Sequence, residues 1–392
     1  MRKIGIFILP PPPSSDRLLS VLQTIFWLSF LVILYTFGGY PLLIGLAARL
    51  FPQPNRQGDD LPPVTLLIAA YNEADVLAEK LENSLGQDYP ADRLRVVVVA
   101  DGSTDATCTI SESYASRGVV TYFQPERQGK VAAVNRVIPF LTDPIVVFTD
   151  ANSLLAPGSL RMLVRHFADP AVAAVAGEKQ VQGGGEGLYW RYESFLKRSD
   201  SAVSSVMGAA GELFALRRTL FSPPEADSVI EDFVLSMRLV QAGWRVIYEP
   251  AAIAWEEPVR TLGGEWQRRV RIAAGGMQAI RRLSGLLAWP WSRITWQYIS
   301  HRVLRWAVTP LLLPLVLVVN LALWSIPFYR LLALGQIAFY LLALLGFWQA
   351  RAGKRGGLAY TVFFFVFTNL AALVGMGRGL TNRQSVVWAK TR

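Results

Sequence analysis

The residues best able to do chemistry form short polar runs at the ends of apolar stretches. Asp150-Ala151-Asn152-Ser153 follows the run Ile145-Val-Val-Phe-Thr149. Asp101-Gly102-Ser103 follows the apolar stretch 94–100, and Tyr71-Asn72-Glu73 follows 64–70. Asp150 and Asn152, two residues apart, offer hard oxygen ligands of the kind that suit Mg²⁺ or Mn²⁺ shared with a substrate phosphate. An Asx turn closing a strand would use the same residues. Glu231-Asp232 opens a run with helical periodicity. The helix dipole favours an ionised carboxylate there, which serves a structural cap and a general base equally. Further on, Arg268 and Arg271 share one helix face. Paired guanidiniums grip a diphosphate well, and a solvated basic face needs the same pattern.

These residues need elements to hold them. The β-branched runs at 64–70, 94–100 and 144–149 read as buried strands, with an edge strand at 119–123 and further strands at 172–176 and 244–248. Between them lie helical patterns: one with Leu77, Leu81 and Leu85 on a face, one from Gln128-Gly129-Lys130 to about Leu141, and one from Glu231 to Gly243. Strands alternating with helices predict an α/β fold with a mostly parallel sheet and right-handed crossovers. In such sheets ligands sit beyond the carboxyl ends of the strands, where Glu73, Asp101 and Asp150 fall. Helix caps would account for carboxylates at these places too, and fit Asp105 better than Asp101 or Asp150. Gly183–Gly185 predicts a flexible loop, and Gly208-Ala-Ala-Gly211 a turn that allows either close ligand approach or tight packing. The aromatic, basic stretch 188–197 predicts a helix lying against either a membrane or the core. No G-x-G-x-x-G follows a strand and no P-loop occurs, which argues against dinucleotide dehydrogenases and P-loop NTPases.

Composition sets the wider frame. With 52% hydrophobic and 17% charged residues, the 392-residue chain is too apolar for an ordinary soluble protein. The organisation read from this is a tail at 1–17, a membrane segment at 18–50, a linker at 51–63 and a catalytic domain at 64–285. An interfacial segment at 286–302, about three membrane helices within 303–378 and a basic tail at 379–392 complete it. Gly38-Gly39-Tyr40-Pro41 is expected to divide the first apolar segment into one spanning helix and a short interfacial piece. The net charge of +10 fits anionic lipid and substrate phosphates, with no nucleic acid. Arg351, Lys354 and Arg355 predict a cytoplasmic loop, and with it a cytoplasmic catalytic domain in the plasma membrane. The single Cys108 reads as a packing residue and excludes an intrachain disulfide. His166 and His301, far apart and near no acidic cluster in sequence, read as structural.

Taken together, these motifs resemble the family 2 glycosyltransferases of GT-A fold, and among them the membrane-embedded hyaluronan, cellulose and poly-N-acetylglucosamine synthases. The resemblance covers roughly residues 60–280. Ala70-Tyr71-Asn72-Glu73 resembles P-x-Y-N-E, with Ala69 for the proline. Asp101-Gly102-Ser103 resembles the nucleoside-holding D-G-S, and Gly129-Lys130 the G-K segment near the donor. Asp150-Ala-Asn152 resembles the metal-binding D-x-D, with Asn for the second Asp. Glu231-Asp232 resembles the E-D pair whose Asp is the catalytic base. Arg268-Arg-Val-Arg271-Ile272 resembles Q/R-x-x-R-W, with Ile272 for the tryptophan.

The resemblance implies a membrane-bound inverting transferase that uses a UDP-sugar or similar nucleotide-sugar donor. Tyr71, Asn72, Glu73, Asp101, Lys130, Asp150, Arg268 and Arg271 would bind the donor. Asp150 and Asn152 would bind Mg²⁺ or Mn²⁺, and Asp232, beside Glu231, would act as base. The implied acceptor is a polysaccharide or a lipid, with room for an export or regulatory subunit. The alternatives are a non-processive enzyme adding one sugar to a lipid, a transporter with a nucleotide-sensing domain, and a silent scaffold subunit.

Overall fold

The computed structural model describes residues 15–181, 187–259, 261–288, 292–381 and 383–385. Residues 1–14 of the expected 1–17 tail, residues 386–392 of the expected basic tail and the Gly183–Gly185 loop lie outside these residues, and 15–17 already belong to the first helix. Eight strands form one sheet: β1 (Val64–Ala70), β2 (Leu94–Asp101), β3 (Val119–Gln124), β4 (Ile145–Asp150), β5 (Leu154–Leu155), β6 (Val172–Val181), β7 (Phe214–Arg217) and β8 (Arg245–Glu256). Their order is β3-β2-β1-β4-β7-β6-β8-β5. Pairs β1–β2, β2–β3, β1–β4 and β6–β8 are parallel, and β7 runs antiparallel between β4 and β6. The sheet is mostly parallel, as the unbroken apolar runs require: Val64, Leu66, Ile68 and Val96–Val99 are all buried between covering layers. In register, Ala69 lies opposite Asp150 and Ala70 opposite Ala100. Tyr71, Asp101 and Asp150 therefore emerge at one sheet edge.

Strands β6 and β8 run further than their apolar cores predict, to Val181 and Glu256. Their extensions carry Glu178, Lys179 and Glu256, charges that hide a strand pattern but are held inside by pairing. A register irregularity between Ala176 and Glu178 carries the pairing past Pro250.

The terminal helices differ from expectation in an instructive way. α1 (Ser15–Leu34) and α2 (Tyr40–Leu50) are joined by a π-helical turn at Tyr35–Gly39 into one helix, so Gly38-Gly39-Tyr40-Pro41 does not divide the segment. Pro41 has no N–H to offer the Phe37 carbonyl, and the widened turn makes room for its ring. The freed carbonyl accepts instead from Tyr192 Oη at 3.2 Å.

Between these and the C-terminal helices come α3 (Ala74–Leu85), α4 (Thr107–Ser113), α5 (Lys130–Val137), α6 (Ser159–Val164), α7 (Gly187–Val203), α8 (Glu231–Gln241) and α9 (Leu262–Arg282). α7 packs one face against α2 through Tyr40, Ile44, Leu196 and Val203.

α10 (Arg293–Tyr298) and α11 (Thr309–Ala322) are likewise fused by a π-helical stretch at Ile299–Val308, again just before a proline, Pro310. The helix thus begins at Arg293, not Val303. Within the segment expected at the interface, Gln297, Ser300 and His301 are buried, the first and last bonded to Asp200 of α7 and Ser300 to Tyr35. α12 (Pro327–Arg351) and α13 (Gly357–Leu380) follow. Among the described residues, four helices are long and apolar enough to cross a membrane: Asp16–Leu50, Arg293–Ala322, Pro327–Arg351 and Gly357–Leu380. α13 lies hard against α9. A Cβ on Gly375 would come within 2.5 Å of the Val270 carbonyl, and one on Gly379 within 2.6 Å of that of Ala274.

Candidate active site

A cavity of about 1680 Å³ opens between the strand ends and a wall that includes the π-helical stretch Ile299–Val308 and α13. Its wall brings together Glu73, Lys130, Asp150, Asn152, Glu231, Asp232, Arg268 and Arg271, residues scattered along the sequence from 73 to 271. Tyr71, Asn72 and Asp101 are not among its wall residues. The Asp101 carboxylate turns inward, where Oδ2 accepts from the backbone N–H of Gln128 at 2.9 Å and of Gly129 at 2.6 Å. Gly129, with φ 93°, then turns the chain into α5 and delivers Lys130 to the cavity. The Arg127 guanidinium stacks 3.5 Å from the centre of the Tyr71 ring. Asn72, at φ 53°, accepts from Thr104 N–H at 2.8 Å through Oδ1. These three residues tie the loops after β1, β2 and β3 to one another.

Lys130 links the two halves of the cavity. Its Nζ lies 2.7 Å from Asp150 Oδ1 on β4 and 3.3 Å from Glu231 Oε1 on α8. Burial opposes its charge, but these carboxylates outweigh that and hold its pKa above the usual lysine value. Asp232 is the reverse case. Burial, reinforced by Glu231, pushes its carboxyl up to about 7 against the pull of Lys130. Its Oδ1 accepts from Phe233 N–H at 2.8 Å. Gly211 keeps the space beside this group open. A Cβ there would sit 3.0 Å from Lys130 Nζ and 3.4 Å from Asp232 Oδ2. At the other end of the turn Gly208 serves tight packing, since a Cβ there would lie 2.1 Å from the Phe233 ring.

The family model described as "Glycosyltransferase like family 2" matches residues 62–275, more than half of the chain. This chain belongs to the family 2 glycosyltransferases. Poly-beta-1,6-N-acetyl-D-glucosamine synthase of Staphylococcus aureus is 27% identical over 242 residues, 59% of this chain and 58% of the relative. Its Staphylococcus epidermidis counterpart is 25% identical over 231 residues, 56% of each chain. The chain thus spans somewhat over half the length of these curated relatives. The solved structure of mannosyltransferase PcManGT from Pyrobaculum calidifontis, in complex with GDP-Man and Mn²⁺, superimposes with a TM-score of 0.71. It is 25% identical and covers 93% of this chain and 100% of its own. That fold is the GT-A arrangement expected from the motifs.

Several residues of this glycosyltransferase escaped the motif reading. Lys179, Glu212 and Glu256 also line the cavity. Lys179 pairs with Glu212 at 2.6 Å and with Glu256, and Glu212 reaches Arg268 at 3.6 Å. Despite burial, Lys179 and Arg268 hold the Glu212 carboxyl far below the usual range, whereas burial raises Glu256. Beneath β4 lies Lys80, fully buried, which burial pulls down to about 7 against the fields of Asp150 and Glu256. No motif flagged these residues, although two buried strand ends with repeated charges were a usable signal.

Both histidines are buried beside carboxylates. His166 Nε2 lies 2.8 Å from Glu249, and His301 Nδ1 lies 2.5 Å from Asp200 with Glu193 3.8 Å from Nε2. The fold supplies acidic neighbours that sequence distance concealed. His301 also belongs to the cavity wall.

Among the described residues, no three His, Cys, Asp or Glu side chains converge as a closed metal cage. Asp150 and Asn152 do present hard oxygens to the cavity, and an ammonium already sits on Asp150. This donor set fits a divalent ion that takes its other ligands from a phosphate substrate.

Proposed function

We propose that this chain is a membrane-bound inverting glycosyltransferase that moves a sugar from a nucleoside-diphosphate-sugar to a polysaccharide or lipid-linked acceptor. The observation that carries the reading is Asp232. Its carboxyl, pushed up to about 7, shares one cavity with the Lys130–Asp150 pair on one side and the apolar helices on the other. A base poised near neutral pH combines adequate ionisation with adequate proton affinity. Asp232 takes the proton of the acceptor hydroxyl as that oxygen attacks the anomeric carbon opposite the leaving diphosphate, which inverts the centre. Mg²⁺ or Mn²⁺ held by Asp150 and Asn152 would neutralise charge on that diphosphate. Lys130, Arg268 and Arg271 add fixed positive charge along the same wall. Glu73 faces the donor end, while Tyr71, Asn72 and Asp101 support the nucleoside side by bracing its loops.

Helices Asp16–Leu50 and those from Arg293 onward anchor the enzyme, with the catalytic domain on the cytoplasmic side beside the basic 351–355 loop. Membrane lipids are partners in this reading, and an export or regulatory subunit is compatible with it. A second reading, transfer of a single sugar to a lipid, is favoured by Ile272 in place of a stacking tryptophan.

The test is nucleoside diphosphate release by the detergent-purified protein from a panel of UDP- and GDP-sugars, with Mn²⁺, Mg²⁺ or EDTA. Metal-dependent release from one donor supports the reading, and product length separates chain synthesis from single transfer. Folded protein that is silent with every donor overturns it.

A further inference from the structure

Lys80 is the charge least expected where it lies. It occupies the inward face of α3 together with Leu77, Leu81 and Ser84, and is fully buried. Its ammonium donates to Thr149 Oγ1 at 2.9 Å and to the Ser153 carbonyl oxygen. These two partners bracket Asp150 and Asn152 in the chain. Among the described residues no carboxylate forms an ion pair with Lys80, so its desolvation is offset only by two neutral acceptors and the fields of Asp150 and Glu256. A lysine kept on such terms needs a reason beyond packing, since a methionine would fill the space without the desolvation cost.

The geometry around it supplies one. Asn83, one turn along α3, exchanges hydrogen bonds with the Leu155 backbone at 2.9 and 2.8 Å. The polar seam of α3 thus holds 149–155 from below, and only its charged member spans the two candidate metal ligands. Lys130 meets Asp150 from the cavity side, so Asp150 stands between one ammonium in the cavity and one beneath it. Ser153 also donates through Oγ to Glu256 at 3.0 Å, and Glu256 continues through Lys179 and Glu212 to Arg268. The Lys80 clamp is therefore the inner end of a buried polar chain leading to the helix that carries the arginines.

We propose that Lys80 is a positioning residue for the divalent-metal and diphosphate site: by clamping Thr149 and Ser153 it fixes the aim and separation of the Asp150 and Asn152 side chains. The inference rests on the metal reading of those two residues.

Coulomb's law gives the test its edge. Removing a positive charge near a cation site strengthens cation binding, whereas losing the aim of the ligands weakens it. Mn²⁺ binding to the full-length protein in detergent, with UDP or GDP present, is measured by calorimetry for wild type, Lys80→Met, Thr149→Val and Asn83→Ala. Melting temperatures are recorded alongside. Lys80→Met is expected to bind Mn²⁺ about tenfold more weakly or worse, the scale typical of residues that orient metal ligands. Thr149→Val, which removes one of the two acceptors, shifts the same way by a smaller factor and keeps the test alive should Lys80→Met fail to fold. Asn83→Ala stays within about threefold of wild type, since it grips the backbone beyond the ligands. Equal or tighter Mn²⁺ binding by Lys80→Met overturns the proposal. So does an equal loss in Asn83→Ala at matched melting temperature, which would mark general loosening. Wild-type protein that binds no Mn²⁺ overturns the metal reading itself, a separate and recognisable failure.

Discussion

Asn at position 232 removes the charge and keeps the shape of the residue, and the environment of Asp232 predicts two opposite consequences. Activity falls, because the acceptor hydroxyl loses its base; general-base losses run to about 10²–10⁴-fold in kcat. Stability at neutral pH rises. The folded carboxyl titrates at about 7 instead of 3.8, so the folded state holds this proton more tightly than the unfolded chain does. The sign follows: this group's contribution is fully present below pH 3.8 and is lost as pH rises through 7. The full shift corresponds to roughly 4 kcal/mol against the ionised form. Partial solvent access screens some of that, and we expect roughly 2 kcal/mol to be recovered by Asp232→Asn at pH 8. For a domain of this size that raises Tm by roughly 4–8 °C. The assay is thermal unfolding in detergent at pH 5, 6, 7 and 8 beside a donor-turnover assay. The unfolded carboxyl is already ionised at pH 5, so part of the Tm gap is present there; the gap should widen from pH 5 to pH 7, level off by pH 8, and close only below pH 3.8. A gap that ignores pH, or a variant less stable at pH 8 than at pH 5 relative to wild type, refutes the reasoning. Turnover within about tenfold of wild type would remove Asp232 from the base role.

Three other outcomes are expected. Asp150→Ala takes away the one charged candidate metal ligand and leaves Lys130 with Glu231 alone; activation by added Mn²⁺ should disappear, and an unchanged Mn²⁺ response would place the ion elsewhere. Gly211→Ala adds a methyl 3.0 Å from Lys130 Nζ. Turnover should fall by about tenfold, near 1.4 kcal/mol, with Tm unchanged, and normal turnover would show that this space is not used. Tyr192→Phe deprives the Phe37 carbonyl of its donor and should lower stability by about 1 kcal/mol with activity retained, read from Tm in the same detergent.

The strand runs, their order of chemistry and the sheet edge could be read because buried parallel strands write themselves as unbroken β-branched stretches. The end of each such run marks a ligand-facing position. What escaped was charge placed inside. Lys80 sits three residues from Leu77 and one before Leu81, on the same inward face, but a lysine there reads as an interruption of the apolar stripe. Lys179, Glu212 and Glu256 concealed the ends of β6 and β8 for the same reason: their partners are 33 and 77 residues apart in sequence. Asp101 taught the converse. A carboxylate at a strand end can serve the loop beside the cavity, and only the amides of Gln128 and Gly129 reveal that. Helix continuity through Pro41 was hidden because it depends on a tyrosine 155 positions away.

Charge also explains how the catalytic domain and the apolar helices keep one orientation. From Trp266 to the C-terminus the sequence contains no Asp or Glu. Basic groups of that region that need partners must find them in the preceding chain, and they do. Arg268 meets Glu212, Arg282 meets Asp227 at 2.6 Å, His301 meets Asp200, and Arg305 meets Glu193 at 2.6 Å. The outer pairs, such as Arg282–Asp227, contribute little because water screens them. Asp200 and Glu193 are different: both are buried on α7, and breaking their pairs would strand a carboxylate in the interior. The segregation of acid from base along the chain therefore acts as a docking code. It fixes the stretch between α10 and α11 against α7, which packs in turn on α2 through apolar contacts, so the far wall of the cavity is set by the same contacts that hold the helices to the domain. An acceptor reaching Asp232 from the helix side meets a preformed wall, and the two arginines there, Arg302 and Arg305, are held by the Met207 carbonyl and by Glu193 before any substrate arrives.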